Sequence, residues 1–407
     1  MHPKAPDRRR FLRDTAVLGL APLTTASTLA APSTATGAGV RRYARLGRTN
    51  LSVSDISFGA SRLRAGEEDL VAHALDRGIN YFDTAEGYTR GDSETVLGNA
   101  LRGRRDKVVL VSKHITGANE GAGEMMAALE ATLTRLRTDY VDIYMSHAIN
   151  SVARLENAEW HAFIDRARQQ GKLRFSGVSG HAGNLAECLE YALAQDMVDV
   201  ILAAYNFGQD PKFYEGFTRS FDMVATQPRL PAILSRARAQ DVGVVAMKTL
   251  MGARLNDMRP FETGGATYAQ AAFRWVLANP DVNALIISMT SRARIDEYLG
   301  ASGATALAAG DLPLLERYAA LNGHTYCRQA CDACDGACPH GVPIADVLRT
   351  RMYATDYQDV AFARAEYAML GDGAAACLGC SGAPCRGACP HGIDIARFCA
   401  PTHRMLS

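Results

Sequence analysis

The run Val53-Ser54-Asp55-Ile56-Ser57-Phe58, leaving through Gly59-Ala60-Ser61, decides the fold. Its β-branched and aromatic residues read as a first strand over Val53–Phe58. The exit lacks the G-x-G-x-x-G turn that a doubly wound dinucleotide-binding sheet carries after its first strand, which leaves that rival architecture without its fingerprint. Downstream, β runs alternate with amphipathic helices. The helix predicted over Glu67–Arg77 has Leu70, Val71, Ala74 and Leu75 at helical spacing, with Gly78 as a stop. Further strands are predicted at Ile79–Asp83, Val108–Ser112, Tyr140–Met145, Arg174–Val178, Val198–Ala203, Gly243–Met247 and Ala284–Ser288. The helices between and after them begin after Asp92-Ser93, at Glu124–Leu136, Trp160–Gln170, Leu185–Leu193, Pro231–Gln240 and Tyr268–Leu277, and near Arg292. Eight β runs, each followed by a helix, predict an α/β fold of the (β/α)8 TIM-barrel type.

The rest of the chain bounds the function. It has 407 residues, 48% hydrophobic and 21% charged, which excludes a mainly disordered or collagen-like protein. Lys plus Arg number 44 against 43 Asp plus Glu, a net charge of +1, so there is no overall cationic field for nucleic acid. Beyond the N-terminus no apolar run approaches the ~18 residues that suggest a membrane span. The ten cysteines are unevenly placed: only Cys188 precedes residue 327. That shift in composition marks a second, cysteine-rich module.

The N-terminus reads as a targeting segment. Asp7-Arg8-Arg9-Arg10-Phe11-Leu12-Arg13 is followed by an apolar stretch to Ala31 and small residues to Gly39. The basic start, apolar middle and small-residue exit describe a secretory signal. Arg8-Arg9 with the residues after it resembles the twin-arginine signal, which exports folded proteins. The competing reading is a basic tail. Residues 1–40 are set aside from the fold.

In a barrel, catalytic groups sit where strands end. The second predicted strand ends Phe82-Asp83-Thr84-Ala85-Glu86-Gly87-Tyr88, the third Ser112-Lys113-His114, and the fourth Ser146-His147. Asp83, Tyr88, Lys113 and His147 are therefore expected at one mouth. A phenol titrating near ~10 is a poor acid at neutral pH unless tuned. A nearby ammonium would lower it, a carboxylate behind the lysine would fix that ammonium, and a neutral imidazole would orient a carbonyl oxygen. The remaining requirement for reduction is a hydride, usually from a nicotinamide cofactor. The competing reading is a buried Lys113–Asp83 ion pair beside a packed Tyr88.

With Arg45-Leu46-Gly47-Arg48-Thr49, these stretches make residues 41–300 resemble the aldo-keto reductase family. The resemblance implies Tyr88 as acid, Lys113 and Asp83 as its tuning pair, and His147 as substrate orienter. It also implies a cofactor site for NADP(H). Gly177-Val178-Ser179-Gly180-His181 resembles the family's carboxamide-binding segment, with Ser179 kept and Gly180 in place of Asn. Tyr205-Asn206 is kept, whereas Leu202 stands where the family often has Gln. In Met247-Lys248-Thr249-Leu250, Lys248 is placed to reach a phosphate. Arg294 and Glu297 match the residues that hold the 2′-phosphate and adenine, while Ser288 replaces a Lys and Ser291 and Arg292 stand ready to compensate.

The tail repeats a motif. Cys327-x3-Cys331-x2-Cys334-x3-Cys338-Pro339-His340-Gly341 is echoed by Cys377-x2-Cys380-x4-Cys385-x3-Cys389-Pro390-His391-Gly392, at offsets of 49–51 residues. Each half is a stretched form of the bacterial ferredoxin run, in which the fourth Cys ligates the other motif's cluster. The resemblance implies two [4Fe-4S] clusters, one on Cys327, Cys331, Cys334 and Cys389, the other on Cys377, Cys380, Cys385 and Cys338. Competing assignments are two four-thiolate zinc sites, or disulfides. Cys399 falls outside the pattern, and Cys188 reads as core.

The expected organisation is a signal segment over 1–40, a barrel over 41–312 and a ferredoxin-type iron-sulfur domain over 313–407. The expected function is NADP(H)-dependent interconversion of a carbonyl and an alcohol, on a small substrate, with a redox partner protein possible. The alternative is an exported electron carrier whose barrel binds no nicotinamide. Export through the twin-arginine machinery implies a periplasmic location, or a cytoplasmic one if the signal is unused. A cluster protein that leaves the cytoplasm should leave folded, yet free NADPH is not expected outside it.

Overall fold

The computed structural model describes residues 39–181, 184–209, 229–250, 258–262, 265, 267–322, 327, 333–355, 360–390 and 392–407. The predicted signal segment, except its last two residues, and Cys331 lie outside them. Ala38–Ser407 form one compact unit.

The elements in chain order are β1 (Tyr43–Arg45), β2 (Ser52–Ser54), β3 (Ile56–Gly59), α1 (Glu68–Asp76), β4 (Tyr81–Asp83), α2 (Asp92–Ala100), β5 (Val109–His114) and α3 (Ala122–Leu136). They continue with β6 (Val141–Ser146), α4 (Val152–Leu155), α5 (Ala158–Gln169), β7 (Leu173–Gly180), α6 (Leu185–Ala194), β8 (Val200–Ala204) and α7 (Leu230–Ala239). Then come β9 (Gly243–Met247), α8 (Tyr268–Leu277), β10 (Ala284–Ser288), α9 (Arg292–Leu299) and α10 (Asp311–Asn322). Strands β3 to β10 close into a parallel barrel, with β10 beside β3. The (β/α)8 architecture expected from the sequence is thus present.

The first predicted strand, Val53–Phe58, is in fact two. Asp55 breaks it. Its buried carboxylate accepts from Ser302 Oγ and from the Gly303 amide, each at 2.6 Å. Meeting these bonds turns the chain, so Ser52–Ser54 pairs antiparallel with β1 and only Ile56–Gly59 joins the barrel. The β1–β2 hairpin closes the bottom of the barrel. Leu46 and Val53 are fully buried against the interior side chains. Between the two hairpin strands, Gly47 has φ +48°, and a Cβ there would lie 2.3 Å from the Gly243 amide nitrogen. Only glycine fits that approach.

Strand alternation places the site. Tyr81, Val109, Val111, Ile143, Met145, Val200, Leu202, Val245, Ala284 and Ile286 share the interior core. Successive side chains in a strand point to opposite faces, so residues of the same parity continue the inward row. One layer up, that row reads Asp83, Lys113, His147, Ser179, Met247 and Ser288. A second core lies between strands and helices and extends to Leu314, Leu315 and Tyr318 of α10. There Tyr318 stacks on Tyr268 with ring centres 4.1 Å apart, and Arg274 donates twice to Asp311 at 2.6 Å.

The tail adds α11 (Ile344–Thr355), α12 (Val360–Ala368) and α13 (Ile395–Leu406) around a core of its own. The duplication is visible in the fold. Each Cys-Pro-His-Gly ends on a left-handed glycine, Gly341 at φ +65° and Gly392 at φ +74°, and an Ile three residues later opens a helix. Cys399 is fully buried in this core, and Cys188 is fully buried in the barrel's, its thiol pushed up to about 11 by desolvation.

Candidate active site

A cavity of about 320 Å3 opens at the C-terminal ends of the barrel strands. Asp83, Tyr88, Lys113, His147, Ser179, Lys248 and Ser288 all line it. The four residues expected to carry chemistry therefore meet, as strand parity requires. Lys113 Nζ donates to Asp83 Oδ1 and to the Thr84 carbonyl, each at 2.6 Å. Both side chains are 1% exposed. Burial pushes the Lys113 ammonium down and the Asp83 carboxyl up, and their mutual attraction opposes both shifts. Among the described residues Asp83 Oδ2 is buried with no hydrogen-bond partner.

Lys113 Nζ also lies 4.8 Å from the centre of the Tyr88 ring, over its face. Here the structure differs from the expectation that the ammonium lowers the phenol. Desolvation pushes the Tyr88 hydroxyl well above its ordinary value, and the charges of Asp83 and Glu366 push the same way. The cation faces the ring, and the charge of Asp83 behind it offsets its effect. Tyr88 is thus firmly protonated, a donor that releases its proton only to a strong developing base. The His147 ring stands edge-on to Tyr88, centres 5.5 Å apart at 82°. Burial, then the charge of Lys113, holds its imidazole well below the usual range, so it is neutral at pH 7.

Backbone strain gathers at this mouth. Thr89 and Arg90 follow Tyr88, Ala148 follows His147, and Lys248 itself follows β9; all four have φ between 48° and 58°. Non-glycine residues held left-handed are costly and persist where a site needs them. Asn206 Nδ2 donates to the Lys248 carbonyl at 3.1 Å, which pins that turn. Burial and the nearby Arg349 lower the Lys248 ammonium to about 8, against the opposing pull of Glu366. Among the described residues nothing hydrogen-bonds or ion-pairs with this ammonium.

Other expected cofactor residues are placed differently. Ser179 lines the cavity, and its Oγ accepts from the Ala148 amide at 3.1 Å. A Cβ on Gly180 would come within 2.6 Å of Leu185 Cδ1 and 2.9 Å of Ile149 Cγ1, so a side chain there would require these two to shift. Tyr205 lies outside the cavity. It continues the outward face of β8, its ring 5.2 Å from Trp275 and its hydroxyl accepting from Asn279 Nδ2. Asn206 holds backbone rather than facing the cavity. Arg294 and Glu297 bond to each other at 2.7 Å on α9, away from the lining. Ser291 Oγ is occupied in capping α9, and Arg292 pairs with Asp69 at 3.0 Å on the surface.

Sequence reasoning missed part of the rim. Arg62 and His181 come from barrel loops, and Met352, Tyr353, Glu366 and Met369 come from α11, α12 and the turn after it. His181 carried a weak signal, two residues after Ser179. The tail residues carried none, because no local pattern links a helix between cysteine motifs to the mouth of a barrel.

In the tail, Cys338, Cys380 and Cys385 all influence the Cys377 thiol, which burial chiefly raises. Cys385 responds in turn to Cys338 and Cys380. Among the described residues no three His, Cys, Asp or Glu side chains converge on a single metal-ion position.

Residues 56–318 match the model of the aldo/keto reductase family. The chain belongs to that family and is an oxidoreductase. An uncharacterized oxidoreductase of Bacillus subtilis (strain 168), YqkF, is 23% identical over 68% of this chain and 96% of its own. The L-galactose dehydrogenase of Arabidopsis thaliana is 26% identical over 63% of this chain and 86% of its own. An aldo-keto reductase from Klebsiella pneumoniae, solved in complex with NADPH, superposes with a TM-score of 0.53 at 26% identity, covering 68% of this chain and 95% of its own.

Proposed function

We propose that the barrel interconverts a carbonyl and an alcohol with NADP(H), Tyr88 serving as proton donor. The observation that carries this reading is Tyr88 poised over the Lys113–Asp83 pair with neutral His147 edge-on beside it. The fit of the cofactor rests on Lys248, a strained cation in the cavity with no partner among the described residues, and on Ser179 at the same rim. Lys248 would hold a phosphate and Ser179 the carboxamide. Arg294 and Glu297 would have to part from each other to take the 2′-phosphate and adenine. When bound, the cofactor supplies the hydride.

The chain supplies the proton and the placement. His147, uncharged, orients the carbonyl oxygen toward Tyr88 Oη. Tyr88 keeps its proton until negative charge grows on that oxygen, then donates it, leaving a phenolate. Lys113, fixed by Asp83, stabilises that phenolate from the ring face. In the reverse direction the phenolate accepts the proton from the alcohol. Fluorescence titration with NADPH followed by an NADPH-oxidation assay across an aldehyde panel tests the reading. Micromolar binding with turnover supports it. No binding up to millimolar cofactor would reduce the barrel to a scaffold.

We infer further that the tail holds two [4Fe-4S] clusters. The duplicated motif supports this, with its four cysteines in each half and a Pro after the last. The other set would be Cys327, Cys331, Cys334 and Cys389. Anaerobically purified protein should carry about eight iron and eight acid-labile sulfides. Cys338→Ser should disturb the cluster on Cys377, Cys380 and Cys385. Stoichiometric zinc without sulfide would reject the assignment. The tail's dependence on cytoplasmic assembly suits export of the folded protein by the twin-arginine route to the periplasm.

A further inference from the structure

The cavity over Tyr88 has a wall that the barrel does not supply. Met352, Tyr353, Glu366 and Met369, carried between the two cysteine motifs, line the same space as Tyr88 and His147. The attachment is firm, since Met352 is a member of the barrel's hydrophobic core and only 7% exposed. A ligand whose carbonyl meets Tyr88 and His147 therefore presents its far end to the tail.

Among the residues that line the cavity, Glu366 is the charged one supplied by the tail, while Arg349 of the same tail acts on Lys248 and His181 from outside the lining. Glu366 is half-buried, and among the described residues no hydrogen bond or ion pair satisfies its carboxylate. Its charge reaches the hydroxyls of Tyr88 and Tyr353 and the ammonium of Lys248. A half-enclosed carboxylate without a partner calls for a donor or a cation from the ligand. Lys248 does not remain available for that role once a cofactor phosphate engages it. Met352 and Met369 add an adaptable apolar surface for the body of the ligand.

Resting on the carbonyl-reducing role of this cavity, we propose that Glu366, with Tyr353 beside it, determines specificity. It favours carbonyl compounds whose far end is cationic or bears hydroxyl groups, and it disfavours those with a carboxylate or phosphate there.

The test uses the full chain. Benzyl alcohols bearing a para hydroxymethyl, trimethylammonium or carboxylate group are titrated calorimetrically without cofactor, so binding is read apart from turnover. The matching aldehydes are then assayed with NADPH. In Glu366→Gln the ratio of ammonium-probe to carboxylate-probe affinity should fall by roughly tenfold or more, as expected for one charge a few ångströms away in a partly shielded site. The kcat/KM ratio of the aldehydes should fall in step. Because the change is nearly isosteric, thermal unfolding and iron content serve as controls on folding. An unchanged ratio would overturn the proposal, and so would failure of every probe to bind the parent protein at millimolar concentration. If the binding ratio shifts while the parent protein reduces none of the aldehydes, Glu366 keeps its role and the catalytic reading fails instead.

Discussion

The barrel and the tail meet at one cavity but were built by different rules. The barrel's share comes from strand parity: Asp83, Lys113, His147, Ser179 and Ser288 sit one step above interior core residues, aimed by the alternation that buries Val111 and Met145. The tail's share comes from docking. Tyr353 and Glu366 reach the cavity because Met352 anchors α11 in the barrel core, not because of any period in their own sequence. The first kind of site is tied to the scaffold's geometry. The second depends on how the tail is held.

The strongest way to break this contrast is at Tyr88. If the barrel layer does the chemistry, Tyr88→Phe should lower kcat/KM by ~10²–10⁴-fold, the usual loss for one positioned acid. The melting curve should hardly move. Parent-level turnover in the variant would place the chemistry elsewhere.

The pair beneath Tyr88 comes next. Removing one partner of a buried ion pair costs ~3–5 kcal/mol, while replacing both with apolar groups is often neutral. Lys113→Met alone should therefore destabilise the barrel strongly in denaturant titration, and Asp83→Leu added to it should recover much of the loss. Activity should return in neither. Recovery of activity along with stability would make the pair only structural.

Most of the barrel was legible because its strands are short β-branched runs between turn signals, and because the tetrad occupies consecutive strand ends. The first strand was misread as one piece, since nothing local shows that the Asp55 carboxylate will be claimed by Ser302 and Gly303, nearly 250 residues away. The placement of Tyr205 was misread for a related reason. It is an outward residue, and motif matching ignores parity. Gly180 stands where the family has Asn, and a Cβ there would crowd Leu185 and Ile149. Glu366 was invisible because its role exists only across the docked surfaces.

Docking itself can be probed at Met352. Truncating a buried Met to Ala typically costs ~2–5 kcal/mol, and Met352 spends that contact on the barrel rather than on its own helix bundle. Met352→Ala should raise KM for carbonyl substrates more than it lowers kcat, and proteolysis should cut the tail sooner. Equal kinetics with an intact tail would mean that α11 is held by other contacts.

The smallest expected effect is a pH dependence, and it separates the barrel's cation from the tail's anion. Burial lowers Lys248 to about 8, so its ammonium is largely present at pH 7 and is lost as pH rises through 8. A phosphate-bearing cofactor gains from the charged form only. The lysine's contribution to its dissociation constant should be flat below pH 7 and climb above 8, by at most about tenfold per unit, since each unit above the pKa leaves a tenth of the lysine charged. The histidines facing this end of the cavity do not mimic the lysine in that window. His147 and His181 are both held well below 6.5 and stay neutral. Burial raises the Glu366 carboxyl from its ordinary range against the pull of Lys248, and its ionisation weakens an anion, so the Glu366→Gln variant separates its contribution from the lysine's. Arg349 stays charged throughout. Lys248→Met should bind the cofactor more weakly at pH 7 and lose the rise above 8. Glu366→Gln should instead keep a rise and move it to lower pH, because the carboxylate that helps hold the ammonium is gone. A rise that survives in Lys248→Met would assign the titration to another group and leave Lys248 without a part in phosphate binding.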